Sequence, residues 1–422
     1  MRILISAYCC QPESGSEQGF GWWWVTKCSE RHDVTVLTCG AQKDKITAYL
    51  RGRDLGIRFV FLRGPKRVSP SGTAYPFERL AQYIWQLRAV RLAKKLMREE
   101  HFEVAQHLTV GSWRQPSFLA FGPVPYVFGP TSGSEKVPPT FTRHLGLRGA
   151  VWEKLRGVLI FLAHFDPFVR LTLRRASILL AAGPATYRDF LKRYPEKTLT
   201  YTRVFPHPCL GQTQAKVEVR RQPTSTFVIS SVGQLIPRKG FRLLLQALSD
   251  RRLNHAELKL IGDGPERPKL ERLARDLMIS GRVSFLGQLE QREAFRLVRE
   301  SDLFVFPSFQ DMMGQALSEA MQLGVPCVVL DWSGPAQLAG DNGAYRVKIG
   351  TYKKTCSNLA DAIALLSRND ALRRRLAEDA QTRIKDLADP DSIAKNMDEI
   401  YARAAARPWS EHFHEPPLEV AP

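Results

Sequence analysis

Pro307-Ser-Phe-Gln-Asp-Met-Met-Gly-Gln-Ala-Leu-Ser-Glu-Ala-Met321 is the stretch on which the reading of the fold turns. Before it, Asp302-Leu303-Phe304-Val305-Phe306 is an apolar run that stops at Pro307-Ser308, as a buried strand stops at its carboxyl end. A loop with Asp311 and Gly314 follows, and then a helical pattern carries Glu319. Seven residues separate the two carboxylates, one on the loop and one just inside the helix. The N–H groups of Met312, Met313, Gly314 and Gln315 fall at the helix start, where they lack intrahelical partners and the dipole favours an anion. Such a segment can hold a diphosphate on its amides while Glu319 accepts from two adjacent sugar hydroxyls. A plainer reading has Asp311 as a helix cap and Glu319 as a solvated helix residue.

The rest of the chain sets this segment in an alternating pattern. Apolar strands at Ile3–Ala7, Val34–Leu37, Arg58–Leu62, Val104–Leu108, Pro125–Phe128 and Ile178–Ala182 interleave with helical periodicity. Residues 210–225 are polar and aperiodic, which suits a linker. The alternation restarts at Phe227–Val232, Leu258–Ile261, Val283–Leu286, Leu303–Phe306 and Cys327–Leu330. The expected class is α/β: two Rossmann-like, doubly wound parallel sheets facing a cleft, with ligands beyond the carboxyl ends of the strands. Expected boundaries are residues 1–209, a linker at 210–225, a second domain at 226–388, a returning helix at 389–407 and a loose tail at 408–422.

Composition bounds the function. The chain has 422 residues, 44% hydrophobic and 24% charged, which describes a globular protein with more than one core. Seven scattered cysteines form no metal-ligand spacing and no disulfide framework. The first residues read as a strand rather than a signal peptide, and the apolar stretch Val158–Val169 is broken by His164, Asp166 and Pro167. A cytoplasmic protein is expected. Net charge is +19, and it is uneven: residues 1–200 hold 30 basic and 15 acidic side chains, the remainder 31 and 27. The basic first half predicts an anionic partner. Phe77–Glu100 sets Leu80, Ile84, Leu87, Val90 and Leu96 among Arg79, Arg88, Arg91, Lys94, Lys95 and Arg98. It fits a helix resting on an anionic membrane face, and equally a core-packing helix with a charged back.

Three further loops lie where that architecture places a ligand. Ser231–Gly240 ends a strand and offers Arg238 and Lys239 before a helix, cations suited to a departing diphosphate. Ile261–Glu266 carries two glycines that let backbone approach a ligand closely. Pro12–Gly19, including Gly15, is a Gly-rich turn into a helix. It lacks the dinucleotide-binding glycine pattern.

In this order the motifs resemble the retaining glycosyltransferases with the GT-B fold, family four in the usual sequence classification. The matching pieces are VGQLIPRKG, LIGDGPERPKLERLA, RVSFLG, DLFVFPS, the paired-carboxylate segment and LGVPCVVLDWSGPAQL. In the first half they are MRILISAYCCQPESGSEQG, HDVTVLT, QHLTVGSWRQPSF and VFGPTSGSE, and the likeness spans roughly residues 1–405. The resemblance implies that Glu319 binds the donor ribose and Asp311 contacts the transferred sugar. It implies that Gly15 and the amides of Met312 to Gln315 hold the diphosphate, and that Lys239 with Arg238 stabilises the departing phosphate. His107 matches a histidine that contacts the donor sugar, and Leu286 marks the strand end facing the base. It implies retention of configuration, a nucleotide diphosphate sugar as donor and no metal or other cofactor. The implied acceptor is a lipid-linked saccharide at the inner membrane face, as in exopolysaccharide or lipopolysaccharide assembly. Two positions depart from the family: Gln234 stands where Arg is usual, and Asp311 where Glu is more frequent. Gln234 keeps open a catalytically inactive, nucleotide-sugar-binding scaffold. A nucleic-acid partner has only charge behind it, with no recognition module.

Overall fold

The computed structural model describes residues 1–14, 16–64, 75–200 and 226–406. Gly15, the 210–225 segment and the 408–422 tail lie outside the described residues.

The first half builds a seven-stranded parallel sheet. Its strands are β1 (Arg2–Ser6), β2 (Asp33–Cys39), β3 (Ile57–Leu62), β4 (Val104–His107), β5 (Tyr126–Thr131), β6 (Ile178–Ala181) and β7 (Thr198–Thr200). Their order across the sheet is β3-β2-β1-β4-β5-β6-β7. The helices are α1 (Ser16–Ser29), α2 (Lys43–Leu50), α3 (Tyr75–Glu99), α4 (Gly146–Ala163), α5 (Pro167–Arg175) and α6 (Pro184–Leu191). Period-two alternation sends Ile3 and Ile5 to one side of β1 and Leu4 to the other. Both sides are therefore cores, which is why the strands read as continuous apolar runs rather than alternating ones. Ile3, Leu4 and Ile5 are fully buried, and each such side chain stabilises the fold by about 1.5–3 kcal/mol.

The second half repeats the scheme. Strands β8 (Phe227–Val232), β9 (Ala256–Ile261), β10 (Val283–Phe285), β11 (Leu303–Phe306), β12 (Cys327–Leu330) and β13 (Tyr345–Val347) form a six-stranded parallel sheet. Their order is β10-β9-β8-β11-β12-β13. Leu303 and Val305 face one core, Phe304 and Phe306 the other. Two Rossmann-like sheets are thus present, and β7 and β13 extend them beyond the strands read from sequence.

Contacts divide the chain into two units: Met1–Ser134, Val158–Tyr201 and Pro390–Pro422 form one, Glu135–Gly157 and Thr202–Asp389 the other. Residues 135–157 therefore group with the second unit, unlike the expected boundary at 209. The reason is aromatic: Phe141 is fully buried against Phe309 and Tyr352, with ring centroids 4.8 and 5.4 Å away. The helix Pro390–Ala405 belongs to the first unit and buries Ile393, Met397, Ile400 and Tyr401 in its core. There Tyr401 Oη donates to Gln106 Oε1, and Trp24 Nε1 donates to both groups at 3.0 Å.

In α3 the core-packing reading holds: Trp85, Ala89, Ala93, Leu96 and Met97 are buried. Ile84 and Leu87 nonetheless remain exposed on it. Among the described residues no helix is long and apolar enough to cross a membrane.

Candidate functional site

In the second sheet the strand order reverses between β8 and β11, so the loops after Val232 and Phe306 border the point where doubly wound sheets take ligands. After β8 the chain passes Gln234 and makes one 3-10 turn, Pro237–Lys239, before the helix Phe241–Leu248. Gly240 joins them at φ 74°, and a Cβ there would stand 2.0 Å from the Pro307 carbonyl oxygen. Only glycine satisfies both demands.

That close approach lets the two loops exchange hydrogen bonds. Phe309 N donates to the Arg238 carbonyl at 2.8 Å, and Arg238 Nη1 donates to the Gln310 carbonyl at 2.8 Å. Lys239 Nζ donates to Asp311 Oδ2 at 2.6 Å, and Ser308 Oγ donates to the same oxygen at 2.8 Å. The Lys239 and Asp311 side chains are 16% and 17% exposed, so this pair is screened far less than a surface ion pair. Lys239 also lies 5.4 Å from the centre of the Phe306 ring. The cation and the carboxylate neutralise one another. An ammonium has three donors and a carboxylate two accepting oxygens, so the pair can meet an anion and a hydroxyl group without separating.

The loop then reaches Gly314, at φ 85°, and the helix Gln315–Gln322 begins. Among the described residues none accepts a hydrogen bond from the amides of Met312, Met313 or Gly314. Their backbone is pressed against the helix Ser333–Ala339: a Cβ on Gly334 would fall 1.4 Å from the Met312 carbonyl oxygen. Ser333 Oγ donates to the Asp311 carbonyl at 3.4 Å. One turn into its helix, half-buried Glu319 accepts from Gln315 Nε2 at 3.2 Å. Loss of hydration pushes its pKa up to about 7, with the Gln315 bond a smaller opposing influence.

The fold thus gathers Arg238, Lys239, Asp311, the Met312–Gln315 segment and Glu319 on two adjacent loops and one helix start. Gln234 is exposed on the loop after β8. Leu286 follows β10, its amide bonded to the Leu260 carbonyl and its side chain packed on the core. Gly262 and Gly264 lie against the loop after β8. Their missing side chains admit neighbouring backbone: a Cβ on Gly262 would meet the Gly233 carbonyl at 2.1 Å and one on Gly264 the Leu235 carbonyl at 2.6 Å. Sequence reasoning missed Ser308 and Gly334, although both lie inside motifs that it quoted.

In the first sheet the order reverses between β1 and β4, and His107 ends β4. Its ring is 1% exposed, 5.3 Å from the Phe128 ring, and neither nitrogen makes a hydrogen bond of ordinary geometry with a described residue. Burial lowers its pKa to about 4, with the Val110 backbone opposing weakly. The turn beyond it holds Val110 at φ 77°, a strained conformation for a β-branched residue. Glu17, in the first turn of α1, clamps that turn: its Oε1 accepts from the Val110 and Gly111 amides, both at 2.7 Å. Glu17 was also missed. Its only signal is an acid placed just inside a helix after a glycine turn.

Residues 212–383 match the family model described as glycosyl transferases group 1. The lipopolysaccharide core biosynthesis glycosyltransferase LpsE of Rhizobium meliloti is 36% identical over 158 residues, 37% of this chain and 44% of LpsE. LpsD of the same organism, with the same description, is 30% identical over 217 residues, 50% of this chain and 60% of LpsD. The chain thus spans about half the length of these relatives. The crystal structure of Anabaena Alr3699/HepE in complex with UDP and glucose has a TM-score of 0.61 at 18% identity, covering 95% of this chain and 99% of that one.

Proposed function

We propose, from the premise that residues 212–383 are a group 1 glycosyl transferase domain and that both halves have the Rossmann-like sheets of the GT-B fold, that the protein is a retaining glycosyltransferase. It moves a sugar from a nucleotide diphosphate sugar to a lipid-linked saccharide in cell-surface polysaccharide assembly, lipopolysaccharide core synthesis being favoured by LpsE and LpsD. The observation that carries this is the mutual hydrogen bonding of Lys239, Ser308 and Asp311 beside unpaired loop amides at the switch point of the second sheet.

In this reading the loop amides and Arg238 hold the diphosphate and Lys239 stabilises charge on the leaving oxygen. Asp311 orients the transferred sugar, and Glu319 receives the ribose hydroxyls. UDP is favoured as the nucleotide by the neighbour crystallised with it. The acceptor hydroxyl attacks from the face the nucleotide leaves, its proton passing to the departing phosphate. No metal is required for that step, so turnover is expected to survive EDTA. Gly15 and Leu286 belong to the diphosphate and base ends of the donor. His107 belongs to the sugar end, which requires its enclosing turn to yield. The acceptor places the protein on the cytoplasmic face of the cell membrane.

A second reading, a nucleotide-sugar-binding scaffold without turnover, is favoured by two observations. Gln234 supplies no cation, and Arg238 is committed to the Gln310 carbonyl. Calorimetry with a panel of nucleoside diphosphates, followed by UDP release from UDP-sugars, separates the two. Binding of one nucleotide with slow UDP release supports the transferase. Binding with no release under any condition supports the scaffold, and no binding to wild type removes both.

A further inference from the structure

The apolar stretch at the end of α4 has no role in the donor chemistry, and its exposure is out of keeping with a water-facing helix. Residues 157–165 read GVLIFLAHF, without a single formal charge. Ile160 alone among its large side chains is buried, while Phe161 and Phe165 are 62% and 61% exposed and Val158, Leu162 and Phe168 are about as open. A solvated helix carries polar residues on its outer arc; here that arc is apolar and aromatic.

The fold joins this ridge to other elements of the same unit. Phe161 and Phe165 touch, with ring centroids 5.1 Å apart. Phe168 on α5 meets Phe118 at 6.2 Å, and Phe118 meets Tyr83 of α3 at 5.3 Å. One turn along from Tyr83 stands exposed Leu87. Cations border the same surface: Lys94 and Arg175 lie 5.6 and 5.9 Å from the centre of the Phe121 ring, and Arg88, Arg91, Arg170 and Arg174 are exposed. Asp166, an acid within the ridge, is engaged in capping α5 through the Phe168 and Val169 amides.

We propose that this face, made by the end of α4, by α5, by the Phe118–Phe121 turn and by one side of α3, seats the first domain on an anionic bilayer. Phe161, Leu162, Phe165 and Phe168 enter the interface while the arginines meet lipid phosphates. Nine uncharged residues are too few to cross the hydrocarbon, so the helix lies in the surface plane. Charge decides between a bilayer and a second copy of the chain. Two copies pairing through this face would bring its arginines together, whereas anionic headgroups complement them. The inference rests on the proposed function for the acceptor it would present, but not for binding itself.

The test is flotation of the full chain with phosphatidylcholine vesicles, with and without about 30% phosphatidylglycerol, an anionic content sufficient to attract basic surfaces. Wild type is expected to float with the anionic vesicles, and Phe161→Ser with Phe165→Ser to lower its partition coefficient by about ten-fold or more. Arg170→Glu with Arg174→Glu is expected to abolish only the preference for anionic lipid. A single Phe165→Cys variant carrying an environment-sensitive dye is expected to shift to the blue on anionic vesicles. Wild type left at the bottom, a double serine variant floating as well as wild type, or no dye shift would each overturn the proposal. So would a lipid-free dimer that the serine pair dissociates. Nucleotide binding by the same variants is expected to match wild type; its failure in every variant and in wild type would sink the donor reading and leave flotation as an independent result.

Discussion

Glu319 sits half-buried with Gln315 as its hydrogen-bonding neighbour, and its raised pKa of about 7 has a definite sign. In the folded protein burial holds the proton on up to about pH 7; in the unfolded chain the group ionises near its ordinary value of 4.5. The group therefore withdraws stability as pH climbs from that value through about 7. If Glu319 receives ribose hydroxyls as proposed, their donation to its carboxyl favours the ionised form, and nucleotide binding is then expected to release a proton. Nucleoside diphosphate affinity is expected to rise between pH 6 and pH 8, with calorimetric heats that depend on buffer ionisation, and Glu319→Gln to flatten both. Lys239→Met is expected to lower turnover by about 10²–10³ while largely sparing nucleotide affinity. An equal loss of affinity and turnover would show that Lys239 serves binding alone. Lys239, Asp311 and Glu319 were legible because charged side chains at fixed spacing keep their identity in any fold. The Gln310 carbonyl that holds Arg238, and the two amides that Glu17 clamps, are backbone groups, and residue type does not encode where they point.

At the scale of elements, the plainest strands to read were apolar runs buried on both sides, such as Leu303–Phe306 and Cys327–Leu330. β7 and β13 escaped because Thr-Leu-Thr and Tyr-Arg-Val are each three residues of mixed polarity at a sheet edge, whereas β10, equally short and at an edge, runs on into apolar Leu286. Gly334 escaped as well: within the quoted motif it looks like an ordinary helix-start glycine, yet it is where the Met312 carbonyl passes. Gly334→Ala is therefore expected to displace the Met312–Met313 backbone and to weaken nucleotide binding by ten-fold or more, on the order of 1.4 kcal/mol or above, while the protein remains folded by circular dichroism. A variant with unaltered affinity would mean that the loop's backing is unimportant to the site. Asp166→Ala, which removes the cap of α5, is expected to cost about 1 kcal/mol in urea unfolding without touching nucleotide affinity.

Over the whole molecule, two sheets were legible from the restart of alternation after residue 225, but the crossing of residues 135–157 to the second unit was not. Its cause, Phe141 against Phe309 and Tyr352, joins residues far apart in the chain. Met397→Ala, at the buried face of the Pro390–Ala405 helix, is expected to destabilise the first unit by about 2–5 kcal/mol. A separate, earlier unfolding transition in calorimetry would report it. That helix also has a bearing on how the protein is made. The cradle for Ile393, Met397, Ile400 and Tyr401 leaves the ribosome in the first half of synthesis, and its occupant emerges only after the second domain has been translated. At ~5–20 residues per second the interval is on the order of tens of seconds. Through that time the nascent first domain displays an open apolar groove. A chaperone that shields such grooves should therefore engage chains stalled before residue 390 and release those that have passed residue 405.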